Sequence, residues 1–222
     1  MTSIVLVHGA WHGSWCWARV AERLEARGHS VTAVDLHRGT LAADTRVVQD
    51  VIDSADDHAV VCGHSYGGSV ITGLAPARIK HAVYLAAPVP DIPSTATSRT
   101  ASVAPTADWI GYDHDGGSCV VLAERAGDVF YHDCDAEIAE AATRQLVPQR
   151  TAVFADSPAT ALWKHVPASY IVCAEDRIFP AQAQRQVAAA RCLSVETVPT
   201  SHSPFLSRPD LLARILDRIA CS

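Results

Sequence analysis

The sequence predicts an α/β fold: a six-stranded, mostly parallel sheet with helices on both faces and a small insertion after the fourth strand. Three observations predict it. Short, continuous apolar runs alternate with amphipathic stretches through residues 3–86. Strands of that kind are buried on both faces, which requires helices above and below a parallel sheet. The alternation breaks at residues 88–165 and resumes at residue 168. Finally, 222 residues, 49% of them hydrophobic and 19% charged, are enough for one compact core.

The elements follow in order. Residues 3–8, built on Ile4, Val5, Leu6 and Val7, read as the first strand. Residues 14–27 read as a helix, with Trp17, Val20, Ala21 and Leu24 on one face and Gly28 at its C-terminal end. A strand at 30–35 and a helix at 41–54, with Val47, Val48, Val51 and Ile52 inward, come next. Residues 58–63 are the third strand, 66–75 a helix stopped by Pro76, and 80–86 the fourth strand. In the insertion, Pro88, Pro90, Pro93, a Ser/Thr-rich stretch and the turn DHDGG (113–117) precede two helix-like stretches near 123–131 and 135–146. The rhythm returns with a strand at 168–175, a helix at 180–190, a strand at 193–198 and a helix at 208–219 with Leu211, Leu212, Ile215 and Ile219 on one stripe. The division expected is a core of residues 1–87 and 166–222 with a cap insertion at 88–165.

Composition narrows the function. A formal net charge of −6 and a pI near 6.0 argue against nucleic acid as a partner. No apolar stretch approaches the roughly 18 residues of a membrane span. The chain enters its first strand with no basic flank, so no signal peptide and a cytoplasmic location are expected. Seven scattered cysteines, odd in number and without a C-x-x-C pair, fit reduced core packing better than a disulfide framework or a metal site.

The chemistry is written in VVCGHSYGGSV, residues 60–70. A G-x-S-x-G between a strand and a helix is a nucleophile elbow: Gly63 and Gly67 leave room for a turn so tight that Ser65 is held in a strained conformation. The elbow also sets Ser65 at a helix N-terminus, where the backbone N–H of Tyr66 can face a developing oxyanion. A serine hydroxyl needs a base. Behind such an elbow the acid and then the histidine follow from later strand ends. Asp176 follows the strand ending at 175, in AEDRIFP, and His202 follows the strand ending at 198, in PTSHSPF. Glu175 is the rival acid. The second oxyanion donor is expected in the loop after the first strand, HGAWHG (8–13), from the N–H of Ala10, with Gly9 allowing close approach and His8 and His12 bracing the loop. The expected pocket residues are Trp11, Trp109, Tyr112, Phe130 and Tyr131. The acidic run Asp128, Asp133, Asp135, Glu137 and Glu140 reads either as a guard against anionic substrates or as a solvated helix face.

Five patches in this order, LVHGAWHGSWCW, GHSYGG, FYHDC, EDRIFP and SHSPFLSRPDLL, resemble the α/β-hydrolase superfamily along the whole chain. Within it they resemble the small-cap branch of plant methyl esterases, hydroxynitrile lyases and bacterial pyrethroid-hydrolase-like esterases. The resemblance implies a Ser-His-Asp site under a small cap, without cofactor or metal, acting on modest esters or related carbonyl compounds. Two departures set this chain apart from the lyases of that branch. They carry a threonine where this chain has Gly9, and a lysine after the catalytic histidine where this chain has Ser203.

The expected activity is therefore hydrolysis of small carboxylic esters through an acyl-enzyme on Ser65. The alternative is a lyase or cyclase that uses the same site as acid and base on a biosynthetic intermediate; a noncatalytic binder is disfavoured by the three retained triad candidates. The expected partner is a small-molecule ester, with neither nucleic acid nor membrane, and assembly as a homodimer stays open.

Overall fold

Apolar β-branched runs too short for helices pair into one sheet. In the computed structural model, which describes residues 1–55, 57–92, 107–191 and 194–222, β1 (Ser3–Val7), β2 (Ser30–Val34), β3 (Ala59–His64) and β4 (Ile79–Leu85) form its first part. The helices between them are α1 (Ala18–Glu25), α2 (Leu41–Ser54) and α3 (Tyr66–Thr72). The insertion adds β5 (Ile110–Tyr112), β6 (Ser118–Val121), α4 (Ala123–Phe130), α5 (Ala136–Thr143) and β7 (Gln149–Arg150). The chain then returns through β8 (Ala168–Cys173), α6 (Ala181–Arg191), β9 (Ser194–Val198), α7 (Pro204–Ser207) and α8 (Pro209–Cys221).

The main sheet has the order β2-β1-β3-β4-β8-β9, and every pairing in it is parallel. The chain moves one way from β1 to β2, then the other way from β2 across β1 to β3. Right-handed crossovers turn that reversal into layers, with α1 on one face and α2, α3 and α6 on the other. The last helix, α8, packs on α1 through a stripe that includes Leu212, Ile215 and Leu216. The reversal point lies between β1 and β3, and in open sheets of this kind ligands bind outside the carboxyl ends of the strands at that point. β3 is buried along its whole length, as are all residues of β8. Among the described residues, no helix is long and apolar enough to cross a membrane.

The insertion differs from expectation. It holds a second, antiparallel sheet, β5-β6-β7, beside the two expected helices. Its strands are two to four residues long, too short to display an alternating pattern. The DHDGG turn is the hairpin between β5 and β6: Gly116 sits at φ +65°, and the Asp113 N–H donates to the Ser118 carbonyl at 3.1 Å. Two helix boundaries also shift. The segment at 14–27 opens as a 3₁₀ turn, Ser14–Trp17, before α1, and α3 ends at Thr72 rather than reaching residue 75, with Gly73 as its cap. Pro93, the Ser/Thr-rich stretch after it, Cys192 and Leu193 lie outside the described residues.

Backbone approach around β3 leaves no room for side chains. A Cβ on Gly63 would lie 2.5 Å from the Gly67 carbonyl oxygen, and one on Gly67 would lie 2.6 Å from that of Val7. Gly127, inside α4, has nothing within 4 Å of the same position. Gly63→Ala should therefore destabilise the protein by about 1–3 kcal/mol or more. Gly127→Ala should stabilise it by about 0.5–1 kcal/mol through helix propensity. Urea unfolding of the two variants beside wild type checks both signs.

Candidate active site

Backbone strain collects at one edge of the sheet. The non-glycine residues with positive φ among those described are Trp11, His37, Ser65 and Ala86, at +63°, +72°, +49° and +45°. They follow the carboxyl ends of β1, β2, β3 and β4, one after each strand. Strain of this kind persists only where the surroundings over-determine it, and it gathers at functional sites. Ser65, at φ +49° and ψ −123°, stands between β3 and α3, and its N–H donates to the Leu85 carbonyl at 3.1 Å. The two glycines of the elbow allow the turn; the neighbouring strand end fixes it.

Asp176 and His202 come together. They follow β8 and β9, which are adjacent in the sheet, and the Nδ1–H of His202 donates to Asp176 Oδ2 at 2.6 Å. Both side chains are buried, at 0% and 1% exposure. Asp176 Oδ1 accepts from the backbone N–H groups of Ile178 and Phe179 at 2.8 and 2.9 Å, and Oδ2 also accepts from Gln184 Nε2 at 2.8 Å. Four donors thus face one carboxylate. The rival Glu175 is exposed, with its side chain outside this network. With Nδ1–H committed to Asp176, the neutral ring of His202 presents Nε2 as a proton acceptor. Among the described residues no hydrogen bond closes between Ser65 and His202; in unliganded sites such bonds are often long and tighten on the substrate.

Ser65 and His202 are linked through His64. Its Nε2–H donates to the His202 carbonyl at 2.9 Å, and the two rings lie 4.6 Å apart. Gly9 closes the other side, since a Cβ there would sit 2.9 Å from both His64 Nδ1 and Ser65 Cβ. The elbow, the loop after β1 and the loop after β9 therefore converge.

The loop after β1 is held by histidines acting as neutral donors. His8 Nδ1–H donates to the Gly9 carbonyl at 2.7 Å, while its Nε2 accepts the Leu36 N–H at 3.0 Å. A trans peptide points its C=O and N–H in opposite directions, so fixing the Gly9 carbonyl also fixes the N–H of Ala10. His12 Nδ1–H holds the Ala10 carbonyl at 3.0 Å, its Nε2 accepts from the Tyr131 hydroxyl at 2.8 Å, and His37 Nε2–H holds the His12 carbonyl at 2.6 Å. Among the described residues, neither the Ala10 N–H nor the Tyr66 N–H donates to another protein group. Burial pushes His8 down to about 4 and His12 down to about 3, and it holds His64 well below the ordinary histidine value, with His202 adding to the effect. A neutral imidazole donates through one nitrogen and accepts through the other, as His8 and His12 do here.

The expected pocket residues separate into three groups. Trp11, Trp109 and Phe130 pack edge to face over the site, with ring centroids 5.6–6.1 Å apart, and the Phe130 ring lies 5.8 Å from that of His202. Tyr131 is 1% exposed and spends its hydroxyl on His12. Tyr112 is 43% exposed at the end of β5. Three further residues join the site: Phe154, read from sequence only as one of the insertion's aromatics, and Gln184 and Asp44, which the sequence reading did not single out. Phe154 packs on Trp11 at 5.8 Å, Gln184 holds Asp176, and buried Asp44 accepts the Tyr66 hydroxyl at 2.7 Å. Gln184 and Asp44 are polar residues on the inward faces of α6 and α2. That mismatch with the apolar stripe is the signal that could have found them.

The neutral histidines carry a pH consequence. His8 and His12 bind no proton in the folded chain until about pH 4 and 3, whereas in the unfolded chain they protonate near 6.5. Stability is therefore full above about pH 6.5 and falls as the pH drops below it, because only the unfolded state takes up these protons. The loss attributable to His8 alone should reach on the order of 3 kcal/mol by pH 4. Urea midpoints should be level between pH 7 and 8 and decline from 6.5 to 5, where carboxylates are still largely ionised. Midpoints that stay level down to pH 5 would contradict neutral burial of these rings.

Known proteins agree with this geometry. Residues 4–215 match the model of the "Alpha/beta hydrolase family". Methylesterase 2 of Arabidopsis thaliana is 29% identical over 97% of this chain and 95% of its own length. Norfluorocurarine synthase 1 of Strychnos nux-vomica is also 29% identical, over 97% of this chain and 94% of its own. The crystal structure of a pyrethroid hydrolase from Sphingobium faniae JZ-2 superposes with a TM-score of 0.86 at 27% identity, covering 100% of this chain and 98% of that one. The chain belongs to the alpha/beta hydrolase family, in the branch that holds methylesterases and pyrethroid hydrolases.

Proposed function

We propose that this protein hydrolyses small carboxylic esters through an acyl-enzyme on Ser65. The observation that carries the reading is the buried 2.6 Å bond from His202 Nδ1–H to Asp176, which presents Nε2 as a base on the edge of the sheet where Ser65 stands strained. Ser65 Oγ attacks the ester carbonyl as His202 takes its proton. Asp176 orients the ring and stabilises the imidazolium. The Ala10 and Tyr66 N–H groups receive the oxyanion, and His202 returns its proton to the leaving alcohol. Water, deprotonated by His202, then releases the acid.

Residues 88–165 act in this reading as a cap on the core formed by 1–87 and 166–222. Trp109, Phe130 and Phe154 from this cap, with Trp11 from the core, form an apolar wall that favours a substrate with an apolar or aromatic acyl or alcohol part. The network needs no cofactor: every proton in the scheme moves among Ser65, His202, the leaving alcohol and water.

A lyase acting on cyanohydrins is poorly served by these residues. A threonine at position 9 would bring its Cβ to 2.9 Å from Ser65 Cβ and His64 Nδ1, so steric crowding excludes it without a shift of the elbow. Ser203, beside His202, is buried and neutral, which leaves no positive charge for a departing cyanide.

Ser65→Ala should leave the fold intact and lower ester turnover by about 10⁴-fold or more. A fluorophosphonate should label the wild type at Ser65 alone. The wild type should cleave mandelonitrile negligibly while hydrolysing a small aryl ester. An active Ser65→Ala variant, or mandelonitrile cleavage faster than the hydrolysis of any ester in a broad panel, would overturn the assignment.

A further inference from the structure

His202 sits in a loop that the sheet itself holds only in part. Backbone bonds from the β8 side stop at Thr200, whose carbonyl accepts the Glu175 N–H at 3.0 Å. The next three residues are held otherwise. The Ser201 N–H donates to Asp133 Oδ2 at 3.0 Å, and the Ser201 hydroxyl donates to the Phe130 carbonyl at 2.9 Å. That hydroxyl also accepts the Ser203 N–H at 3.2 Å. The His202 carbonyl accepts from His64, its ring is held by Asp176, and the Ser203 carbonyl accepts from Leu206 and Ser207; the bonds that hold Ser201 come from the stretch FYHDC, which begins on the last residue of α4.

The same stretch reaches the other two loops. Tyr131 donates to His12, which in turn holds the Ala10 carbonyl. His132 Nε2–H donates to the Glu175 carbonyl at 3.0 Å, next to Asp176. Four consecutive residues, Phe130 to Asp133, therefore bond to the loops that carry the base, the acid and the oxyanion donor. Beside the direct bonds between these loops and the support from His64, this strip is a single stretch of chain that bonds to all three.

We propose that the strip Phe130–Asp133 is the positioning element of the site, and that Asp133, through Ser201, is the positioning residue that sets the ring of His202. Asp133 is the acceptor for the Ser201 N–H, and a charged acceptor makes such a bond stronger than a neutral one would. Ser201 immediately precedes His202. Loss of the anchor frees the backbone on the N-terminal side of the base, and a displacement of about 1 Å there can cost on the order of 100-fold in rate. The inference deepens the hydrolase reading and rests on it.

The test compares wild type with Asp133→Ala, Asp133→Asn, Ser201→Ala and the exposed neighbour Asp135→Ala. The substrate is p-nitrophenyl acetate. Asp133→Ala should lower kcat about 10- to 100-fold with KM changed less than about threefold. Asp133→Asn, which retains an oxygen acceptor, should recover most of that loss, and Asp135→Ala should match wild type. A second readout needs no turnover: in protein labelled with ¹⁵N-histidine, the downfield Nδ1–H signal of His202 should broaden or exchange faster in Asp133→Ala and Ser201→Ala. If Asp133→Ala does not fold, Asp133→Leu, which keeps the bulk but removes the acceptor, decides the matter by the same two readouts. Wild-type kcat together with an unchanged imidazole signal in a folded variant that lacks the acceptor at 133 overturns the proposal, as does a fall in kcat that only tracks the fraction unfolded. Absence of ester turnover in the wild type would count against the hydrolase reading alone, since the imidazole signal still reports whether Asp133 sets His202.

Discussion

The turn at Ser65 is the constraint on which the rest depends. An L-residue at φ +49° lies in sparsely populated space, and such strain persists where the surroundings over-determine it. Gly63 and Gly67 bring the start of α3 against the end of β3, and Gly67 also faces the Val7 and His8 carbonyls. The Ser65 N–H is tied to Leu85 on the next strand. The elbow thus locks β1, β3 and β4 to one another at their carboxyl ends. The loop after β1 and the ring of His64 are packed against it within van der Waals limits, so Gly9 has no room for a side chain.

Electrostatics follow from that crowding. Groups packed this tightly are dry, and a dry imidazole sheds its proton. His8, His12 and His64 therefore work as neutral hydrogen-bond devices, each directed at a specific carbonyl. Against these neutral rings, His202 alone is paired with a buried carboxylate, itself met by two backbone N–H groups and the Gln184 amide. One imidazole in the cluster thus has a carboxylate partner, while its neighbours bond only to carbonyl, amide and hydroxyl groups. The insertion completes this arrangement from above through aromatic rings and through the bonds of Phe130 to Asp133.

The core was legible because its signals are local and periodic. Val60, Val61 and Cys62 announce a strand buried on both faces, and Leu212, Ile215 and Ile219 announce a helix stripe. The elbow was readable because a tight turn needs small residues at fixed spacing, and Asp176 and His202 stood out because each follows an apolar strand beyond that elbow. The insertion was harder. β7 is two residues long and pairs with β6 across a separation of about thirty residues, a contact that no local pattern encodes. Gln184 and Asp44 were missed for a related reason: each is polar yet turned inward, and only the partner it meets there explains it. Tyr131 and Tyr112 look alike in sequence as cap aromatics. In the fold, one is a buried brace for His12 and the other sits at an exposed strand end.

The central claim is a covalent intermediate on Ser65, common to different esters of one acid. Partitioning between water and added methanol tests it directly. Phenyl, p-nitrophenyl and methyl esters of the same acyl group should give one ratio of acid to methyl-transfer product, measured with labelled methanol, because all pass through the same acyl-enzyme. A ratio that changes with the leaving group would mean that water attacks the ester itself, and would contradict the account.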